Sequence, residues 1–237
     1  MKNQFRNPIG WLGRWTLRKM NRHHSPLTDW GLSHLSIPLG GAILDVGCGG
    51  GRTIAKLAAA SGTGMVYGVD HSAESARVAS KTNAEMIKGG RVAISIGSVS
   101  QLPFADGTFD LVTAVETHFF WPNLPGDVQE VWRVVKPGGT LAIIAEVYKD
   151  NKAAKPKIVG RGAPKLGMTL LTPDEHRDLL AGAGFVEVEI LTDPSKGWIC
   201  AIGRKPRRES SALPQRQPPG RSSGRRRRGS PGGAGRP

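Results

Sequence analysis

Short apolar runs punctuate the first half of the chain, each bounded by polar or glycine-rich stretches. Three of them, residues 43–45, Met65–Asp70 and residues 92–97, have the length and composition of buried strands. The first two end on an acid, and the first leads through a glycine-rich turn into the opening of a helix. Strands that alternate with helices predict an α/β domain with a mostly parallel sheet.

The second half of the chain carries clear boundary signals. Residues 172–183 begin with Thr172 as a cap, a proline at the first helical position and acids in the first turn, which predicts a helix. Residues 186–191 and Trp198–Arg204 have strand character. Earlier, the breaker Pro137-Gly138-Gly139 separates a predicted helix from a further strand.

Glycines at positions 47, 49, 50 and 51 remove side chains from a turn where the backbone must bend sharply. A strand, a bare turn and a helix N-terminus are expected to offer unpaired N–H groups to a bound cofactor. The dinucleotide fingerprint G-x-G-x-x-G fits poorly, because its third glycine would fall on Arg52 or Ile54. That glycine lets the helix pack closely on the strand, so a bulky residue there weighs against a dinucleotide.

Asp45, followed by glycines at alternate positions, resembles the first motif of class I S-adenosylmethionine-dependent methyltransferases. Residues 97–116 and 131–144 resemble the segments that lead into the fourth and fifth strands of that family. The resemblance covers residues 42–204 and is greatest with the small-molecule enzymes of the methyltransferase-11-like and ubiquinone-biosynthesis-like subgroup. It implies a three-layer Rossmann-like sheet, mostly parallel, that an antiparallel C-terminal strand pair completes.

The resemblance also implies S-adenosylmethionine as the cofactor. Asp70 would accept hydrogen bonds from the ribose hydroxyls. Ser98 stands where relatives often have an Asp that contacts the adenine amino group, and its hydroxyl can still form a hydrogen bond. The residues expected to bind the cofactor are Asp45, Gly47, Cys48, Gly49, Gly51, Asp70, His71, Ser98, Val99 and Val115.

The acceptor is expected at the carboxyl end of the fourth strand, where open α/β sheets bind their ligands. In the sequence VETHFFWPN, residues 115–123, Glu116 and His118 are the candidate general bases. The candidate substrate contacts are aromatic: Phe119, Phe120 and Trp121, with Tyr148 after the fifth strand. The competing interpretation is that His118 closes a loop and that the aromatic residues belong to the core or to a lid.

Charge is distributed unevenly along the 237 residues. The net charge of +14 arises at the two ends, because residues 1–24 carry +6, residues 204–237 carry +10 and residues 25–203 carry −2. The sequence therefore does not support a basic face built into the fold, as expected for many nucleic-acid methyltransferases.

Three segments are expected: an N-terminal helix or lid at 1–36, a methyltransferase domain at 37–205 and a disordered tail at 206–237. Residues 11–22 interleave Trp and Leu with Arg and Lys, which predicts an amphipathic helix that either covers the cleft or lies on a membrane surface. Residues 23–35 then lead into the first strand. The Arg/Pro/Gly/Ser-rich tail is either a weak polyanion binder or a segment without a specific role.

The chain has no apolar run of about 18 residues, as a membrane span requires, and no secretory apolar stretch at its start. Cys48 and Cys200 form no disulfide or metal pattern, and His23, His24 and His34 lack the spacing of metal ligands. We therefore expect a cytoplasmic protein without a metal, and the oligomeric state stays open.

The resemblance implies that a methyl group moves, in line with its bond to sulfur, to an O, N or C atom of a small-molecule acceptor. Two alternatives remain at this point. One is a catalytically silent cofactor-binding or adaptor protein. The other is an NAD(P)-dependent oxidoreductase, which Arg52, Ile54 and the lack of a Tyr-x-x-x-Lys pair disfavour.

Overall fold

The computed structural model describes residues 24–151 and 163–207, together with Gly10. The helices in these ranges are α1 (Ser25–Ser33), α2 (Arg52–Ala60), α3 (Ala73–Thr82), α4 (Ala84–Lys88), α5 (Leu124–Val134), α6 (Ala163–Leu166) and α7 (Pro173–Gly182). The strands are β1 (Ala42–Val46), β2 (Met65–Asp70), β3 (Val92–Ile96), β4 (Phe109–Val115), β5 (Val135–Ala145), β6 (Val186–Asp193) and β7 (Trp198–Arg204). A 3-10 turn, His118–Phe120, lies between β4 and α5.

The predicted amphipathic helix at residues 11–22 and the tail from residue 208 lie outside the described residues. Their proposed roles, as a lid, a membrane-surface helix or a polyanion binder, stay predictions. Within residues 24–151 and 163–207, no helix combines the length and the apolar character that crossing a bilayer requires.

The strands form one sheet in the order β3-β2-β1-β4-β5-β7-β6. Strands β1 to β5 pair in parallel, and β7 runs antiparallel between β5 and β6. This confirms the predicted fold class, an α/β Rossmann-like sheet that is mostly parallel with an antiparallel C-terminal pair. Because β1 neighbours both β2 and β4, the strand order reverses there, and open α/β sheets bind ligands at such a point.

Helices cover both faces of the sheet. Successive residues of β1 point to opposite faces: Ile43 packs with Ile54 of α2, whereas Leu44 packs in the cluster that contains Val128 of α5. All four side chains are fully buried. Burying an aliphatic side chain of this size contributes about 1.5–3 kcal/mol, so both helical layers fix the central strand.

Helix α1 occupies the segment that the sequence predicted only as a path into the first strand. Pro26 stands in its first turn, and Leu27 packs with Ile144 of β5 and Cys200 of β7. These contacts are long-range, so the local sequence does not reveal them. Helix α1 falls within the predicted N-terminal segment 1–36, yet it packs on the sheet.

The Pro137-Gly138-Gly139 stretch lies inside β5, although the sequence predicted it as a separator before the strand. Pairing with β4 jumps from Phe109 opposite Val135 to Leu111 opposite Thr140, so the stretch forms an irregularity in the ladder. The N–H of Gly138 donates to the carbonyl of Lys205, whose own N–H donates to Gly139. The chain after β7 therefore pairs with part of the stretch and keeps it in the sheet.

Candidate functional site

A cleft of about 270 Å³ opens at the carboxyl ends of β1, β2 and β4. Its walls come from the turn after β1, the end of β2, the segment after β3, the segment after β4 and the start of α1. All residues predicted to bind the cofactor line this cleft except Gly51: they are Asp45, Gly47, Cys48, Gly49, Asp70, His71, Ser98, Val99 and Val115. The sequence motifs therefore converge on one place.

The turn after β1 depends on its glycines. Gly47, Gly49 and Gly51 have φ angles of 72°, 51° and 77°, a left-handed region that other residues adopt at a cost. A Cβ on Gly47 would overlap the Thr117 hydroxyl. A Cβ on Gly51 would lie 2.6 Å from Nδ2 of Asn83 in the segment between α3 and α4, so Gly51 serves the packing of α2 against that segment.

The expectation of unpaired N–H groups in this turn is wrong for most of its residues. The N–H groups of Gly47 and Cys48 both donate to the carbonyl of Val69, at 2.7 and 3.1 Å, and that of Gly51 donates to Cys48. The N–H of Gly49 donates to the Asp70 carboxylate at 2.9 Å. A phosphate cradle needs free donors of this kind, so the turn suits a ligand without phosphate.

Two buried carboxylates face the cleft. Oδ1 of Asp45 accepts a hydrogen bond from the Thr113 hydroxyl at 2.7 Å. The two oxygens of Asp70 accept N–H donors from Gly49 and Ser72, which fixes the orientation of that carboxylate. Burial raises the pKa of Asp45 to about 7, with the negative charge of Asp70 acting in the same direction and the Thr113 hydroxyl against it.

These groups fit the cofactor that the resemblance implies. S-Adenosylmethionine carries a ribose diol, a sulfonium and an ammonium group, and it has no phosphate. Asp70 can accept hydrogen bonds from a diol, and Asp45 can face a cation, whereas both acids would repel a pyrophosphate. The glycine turn lets the ligand approach the backbone beside Asp45.

Two titratable residues line the acceptor side of the cleft. Glu116 follows β4, and His24 stands at the start of α1. The carboxylate of Glu116 accepts the N–H of Glu146, the residue after β5. Nε2 of His24 lies 3.9 Å from Oε2 of Glu116 and 3.6 Å from Oε1 of Glu146. The three side chains thus form a cluster across three elements.

Burial and mutual charge perturb this cluster. Burial raises the pKa of Glu116, the charge of Glu146 adds to the rise, and His24 opposes it. Burial by itself would lower the pKa of His24, but the close contact with the Glu146 carboxylate and the charges of both glutamates raise it overall. The backbone of Glu116 has a φ of 57°, a conformation that few residues other than glycine adopt and that is frequent at functional sites.

The remaining acceptor-side candidates divide into two groups. Trp121, with Phe120, lines the cleft. His118, Phe119 and Tyr148 are buried beside it: His118 contacts His176 of α7, and the other two pack with Val147 and Ile199. The assignment of this second group to base or substrate contact stays a prediction.

Several lining residues escaped the sequence analysis. They are His24, Thr28, Val46, Gly50, Arg52, Thr53, Val69, Ser75, Gly97, Thr117 and Pro122. Most flank motifs already identified, so widening each motif by a few residues would have found them. His24 immediately precedes α1 and Thr28 lies on it, and no local signal places that helix beside the ends of β4 and β5.

Residues 44–143 match the family model described as a methyltransferase domain. Methyltransferase GfsG of Streptomyces halstedii is 34 % identical over 173 residues, which are 72 % of this chain and 61 % of that protein. O-methyltransferase cnsE of Penicillium expansum is 29 % identical over 66 % of this chain and 56 % of that protein. The chain thus spans less than two thirds of the length of these curated relatives.

The fold agrees with solved structures. An S-adenosylmethionine-dependent methyltransferase from Aquifex aeolicus superposes with a TM-score of 0.66 and 20 % identity, covering 80 % of this chain and 96 % of that one. The domain match, the relatives and this structural likeness agree with the chemistry of the cleft. There, the glycine turn, Asp45 and Asp70 suit a cationic nucleoside without phosphate. Residues 44–143 therefore form a methyltransferase domain of the class I S-adenosylmethionine-dependent type, with S-adenosylmethionine as its cofactor.

Proposed function

We propose that this protein transfers a methyl group from S-adenosylmethionine to a small-molecule acceptor. One observation carries the proposal: a single cleft joins the cofactor-binding turn to a wall of titratable and aromatic side chains. On the cofactor side stand Asp45 and Asp70, and on the acceptor side stand Glu116, Phe120 and Trp121. A cofactor bound at the turn would hold its methyl group between the two sides.

The proposed cofactor contacts are those residues of the predicted set that line the cleft. The bound cofactor would supply an activated methyl group on sulfur, which makes a strong nucleophile on the protein unnecessary. The chain's own work is to hold the acceptor atom in line with the S–CH3 bond and to exclude water. The aromatic rings of Phe120 and Trp121 suit a flat or apolar acceptor.

Glu116 is the stronger of the two predicted catalytic residues. It lines the cleft, whereas His118 is 1 % exposed and its Nε2 contacts another histidine. A proton-bearing acceptor atom would therefore meet the carboxylate of Glu116 first. We assign Glu116 to the handling of the acceptor and leave His118 to the core.

Charge supports a small acceptor over a nucleic acid. Residues 25–203 carry a net charge of −2, and the cleft contains acids on both sides. A polyanionic acceptor would be repelled from such a surface. The names of relatives point the same way: one is a 27-O-demethylrifamycin SV methyltransferase from Amycolatopsis mediterranei.

The test has a binding step and a turnover step. Calorimetry on the full chain should show binding of S-adenosylmethionine and S-adenosylhomocysteine, and none of NAD. The protein is then incubated with labelled S-adenosylmethionine and a protein-free metabolite extract, and a labelled small product should form with wild type and decline at least tenfold with Glu116→Gln. The exposed Glu85→Gln is the matched control.

Two outcomes would overturn the proposal. Binding of NAD in place of the adenosyl ligands would identify an oxidoreductase. Normal cofactor binding without any labelled small product, across extracts of several chemical classes, would identify a silent binding protein.

A further inference from the structure

Three potential metal ligands meet at the acceptor end of the cleft. They are His24 at the start of α1, Glu116 after β4 and Glu146 after β5, and one ligand atom from each lies within 4.8 Å of the other two. Two ligand atoms at about 2.0–2.2 Å from one metal ion are at most about 4.4 Å apart, so this cluster needs only a small closure to hold an ion. The grouping is spatial, since the three residues are far apart in the sequence.

The fold fixes the carboxylate of Glu116 and the backbone of His24. The N–H of Glu116 donates to the carbonyl of Ile144 at 2.9 Å, and one carboxylate oxygen of Glu116 accepts the N–H of Glu146. The carbonyl of His24 accepts both the N–H and the hydroxyl of Thr28 at 2.9 Å, which anchors the histidine to the first turn of α1. Such support for metal ligands is what fixes their orientation.

The second oxygen of Glu116 points into the cluster. The side chain is 9 % exposed, and its Oε2 accepts no hydrogen bond from the described residues; Nε2 of His24 lies 3.9 Å from it. That separation exceeds a hydrogen bond. A carboxylate oxygen in this position can bind a cation held between the three ligand atoms.

We propose that His24, Glu116 and Glu146 bind one divalent metal ion, which coordinates a hydroxyl oxygen of the methyl acceptor. The proposal rests on the proposed methyl transfer and names the acceptor class as a hydroxyl compound. One imidazole and two carboxylates form a mixed nitrogen–oxygen set, which suits Mn²⁺ or Zn²⁺ better than Mg²⁺. Three protein ligands leave positions open for an acceptor oxygen and for water.

Coordination would prepare the acceptor for transfer. A divalent ion lowers the pKa of a bound hydroxyl, whose proton passes to water. A lone pair of the resulting oxyanion forms the bond to the methyl carbon, while the S–CH3 bond breaks and leaves its electron pair on sulfur. The products are a methyl ether, S-adenosylhomocysteine and one proton, and no oxidant or reductant is needed.

Metal binding can be measured without turnover. The full chain is freed of metal with EDTA and titrated with Mn²⁺, and the loss of the free Mn²⁺ signal in electron paramagnetic resonance counts the bound ion. We expect one site per chain, from which Zn²⁺ displaces Mn²⁺ at lower concentration than Mg²⁺ does. Glu116→Gln, Glu146→Gln and His24→Ala should each weaken Mn²⁺ binding at least tenfold.

Matched controls remove the same residue types elsewhere. His34→Ala and Glu85→Gln change exposed side chains and should bind Mn²⁺ as wild type does. Calorimetry with S-adenosylhomocysteine on every variant confirms that the cofactor half of the cleft is folded. A variant of the cluster that keeps wild-type Mn²⁺ affinity, or a wild type that binds none, would overturn the proposal and leave the cluster an ion pair.

The result is separable from the proposed methyl transfer. Turnover that persists after EDTA treatment, with no Mn²⁺ bound, would refute the metal site and leave the proposed methyl transfer intact. Mn²⁺ binding at the cluster without binding of S-adenosylmethionine or S-adenosylhomocysteine would refute the proposed methyl transfer and leave the metal site intact.

Discussion

The Nε2 atoms of His118 and His176 lie 3.1 Å apart in the interior of the protein. Nδ1 of His176 is 2.8 Å from the carbonyl of Thr172, which can only accept, so the proton of His176 resides on Nδ1. Because burial lowers the pKa of His176, its Nε2 carries no proton and accepts from Nε2 of His118. Nδ1 of His118 is then a lone-pair atom without a hydrogen-bond partner among the described residues. Both rings are therefore neutral in the folded protein.

This pair predicts that acid destabilises the fold. Burial lowers the pKa of both histidines, and for His118 the nearby His176 lowers it further, whereas Thr172 and Glu175 partly oppose the shift in His176. Unfolded histidines take up protons below about pH 6.5, which the folded pair does not do. The free energy of unfolding should therefore fall with falling pH, by up to about 1.4 kcal/mol per pH unit for each histidine.

Urea unfolding at pH 7.5 and 5.5 measures this contribution against a variant. His118→Gln keeps a donor near the Nε2 position and removes one titrating group, so its free energy of unfolding should fall less than that of wild type over the same interval. His34→Gln, at an exposed site, should follow wild type. Equal pH dependence in wild type and His118→Gln would contradict the neutral pair.

Local signals in the sequence were sufficient for the elements whose ends carry a side-chain cap or a glycine. Thr172 and Glu175 exchange the hydrogen bonds of a capping box, at 3.1 and 2.7 Å, and helix α7 begins where the sequence predicted. Strands β2 and β7 have the predicted bounds. Helix α1 was missed because long-range packing holds it, through Leu27 against Ile144.

The glycine turn gives a second prediction through a matched pair of variants. Gly47 and Gly90 have φ angles of 72° and 70°, but a Cβ on Gly47 would overlap the Thr117 hydroxyl, whereas a Cβ on Gly90 would meet nothing within 4 Å. Gly90→Ala should lower the free energy of unfolding by about 1–2 kcal/mol, because alanine is strained in the left-handed conformation. Gly47→Ala should cost more and should weaken S-adenosylhomocysteine binding at least tenfold.

Calorimetry and urea unfolding of both variants separate two effects: the backbone strain of a left-handed alanine and the overlap of a Cβ at position 47 with the Thr117 hydroxyl. Gly90→Ala should bind S-adenosylhomocysteine with wild-type affinity, because the residue lies far from the turn in the segment before β3. If Gly47→Ala binds the ligand as tightly as Gly90→Ala, then the approach of ligand to backbone at position 47 is not required.

Asp45 predicts how cofactor affinity depends on pH. Its pKa of about 7 means that the carboxyl group gains a proton as the pH falls below neutrality. The ammonium group of the cofactor favours the ionised form, so the affinity for S-adenosylhomocysteine should fall by up to about tenfold per pH unit below pH 7 and level off above it.

A variant and a ligand serve as the controls for Asp45. Asp45→Asn keeps an oxygen for the Thr113 hydroxyl and should lose this part of the pH dependence. 5′-Methylthioadenosine lacks the ammonium group, and its affinity for wild type should not show the fall. A steep fall for both ligands would place the titrating group elsewhere in the cleft.

The candidate site was predictable from sequence on its cofactor side only. Asp45 and Asp70 each end a strand, so position along the chain alone brings them to the same edge of the sheet. On the acceptor side, Glu116 was predicted beside His118, but the left-handed φ of Glu116 turns the chain so that Glu116 faces the cleft and His118 faces the core. His24 reaches Glu116 only through the packing of α1.

That packing yields the last prediction. Gly31 of α1 is buried against β5, and a Cβ there would lie 2.5 Å from Cδ1 of Ile144. Gly31→Ala should cost about 1–3 kcal/mol by overpacking and should shift α1, with His24, away from Glu116, so Mn²⁺ binding and turnover should fall together.

Gly182→Ala, in a helix with nothing near its Cβ, should be neutral or stabilise by up to about 1 kcal/mol. Ile144→Ala removes the overlapping atoms, so the double variant should be more stable than the sum of the single changes and should regain Mn²⁺ affinity. Additive losses would show that α1 does not set the position of His24.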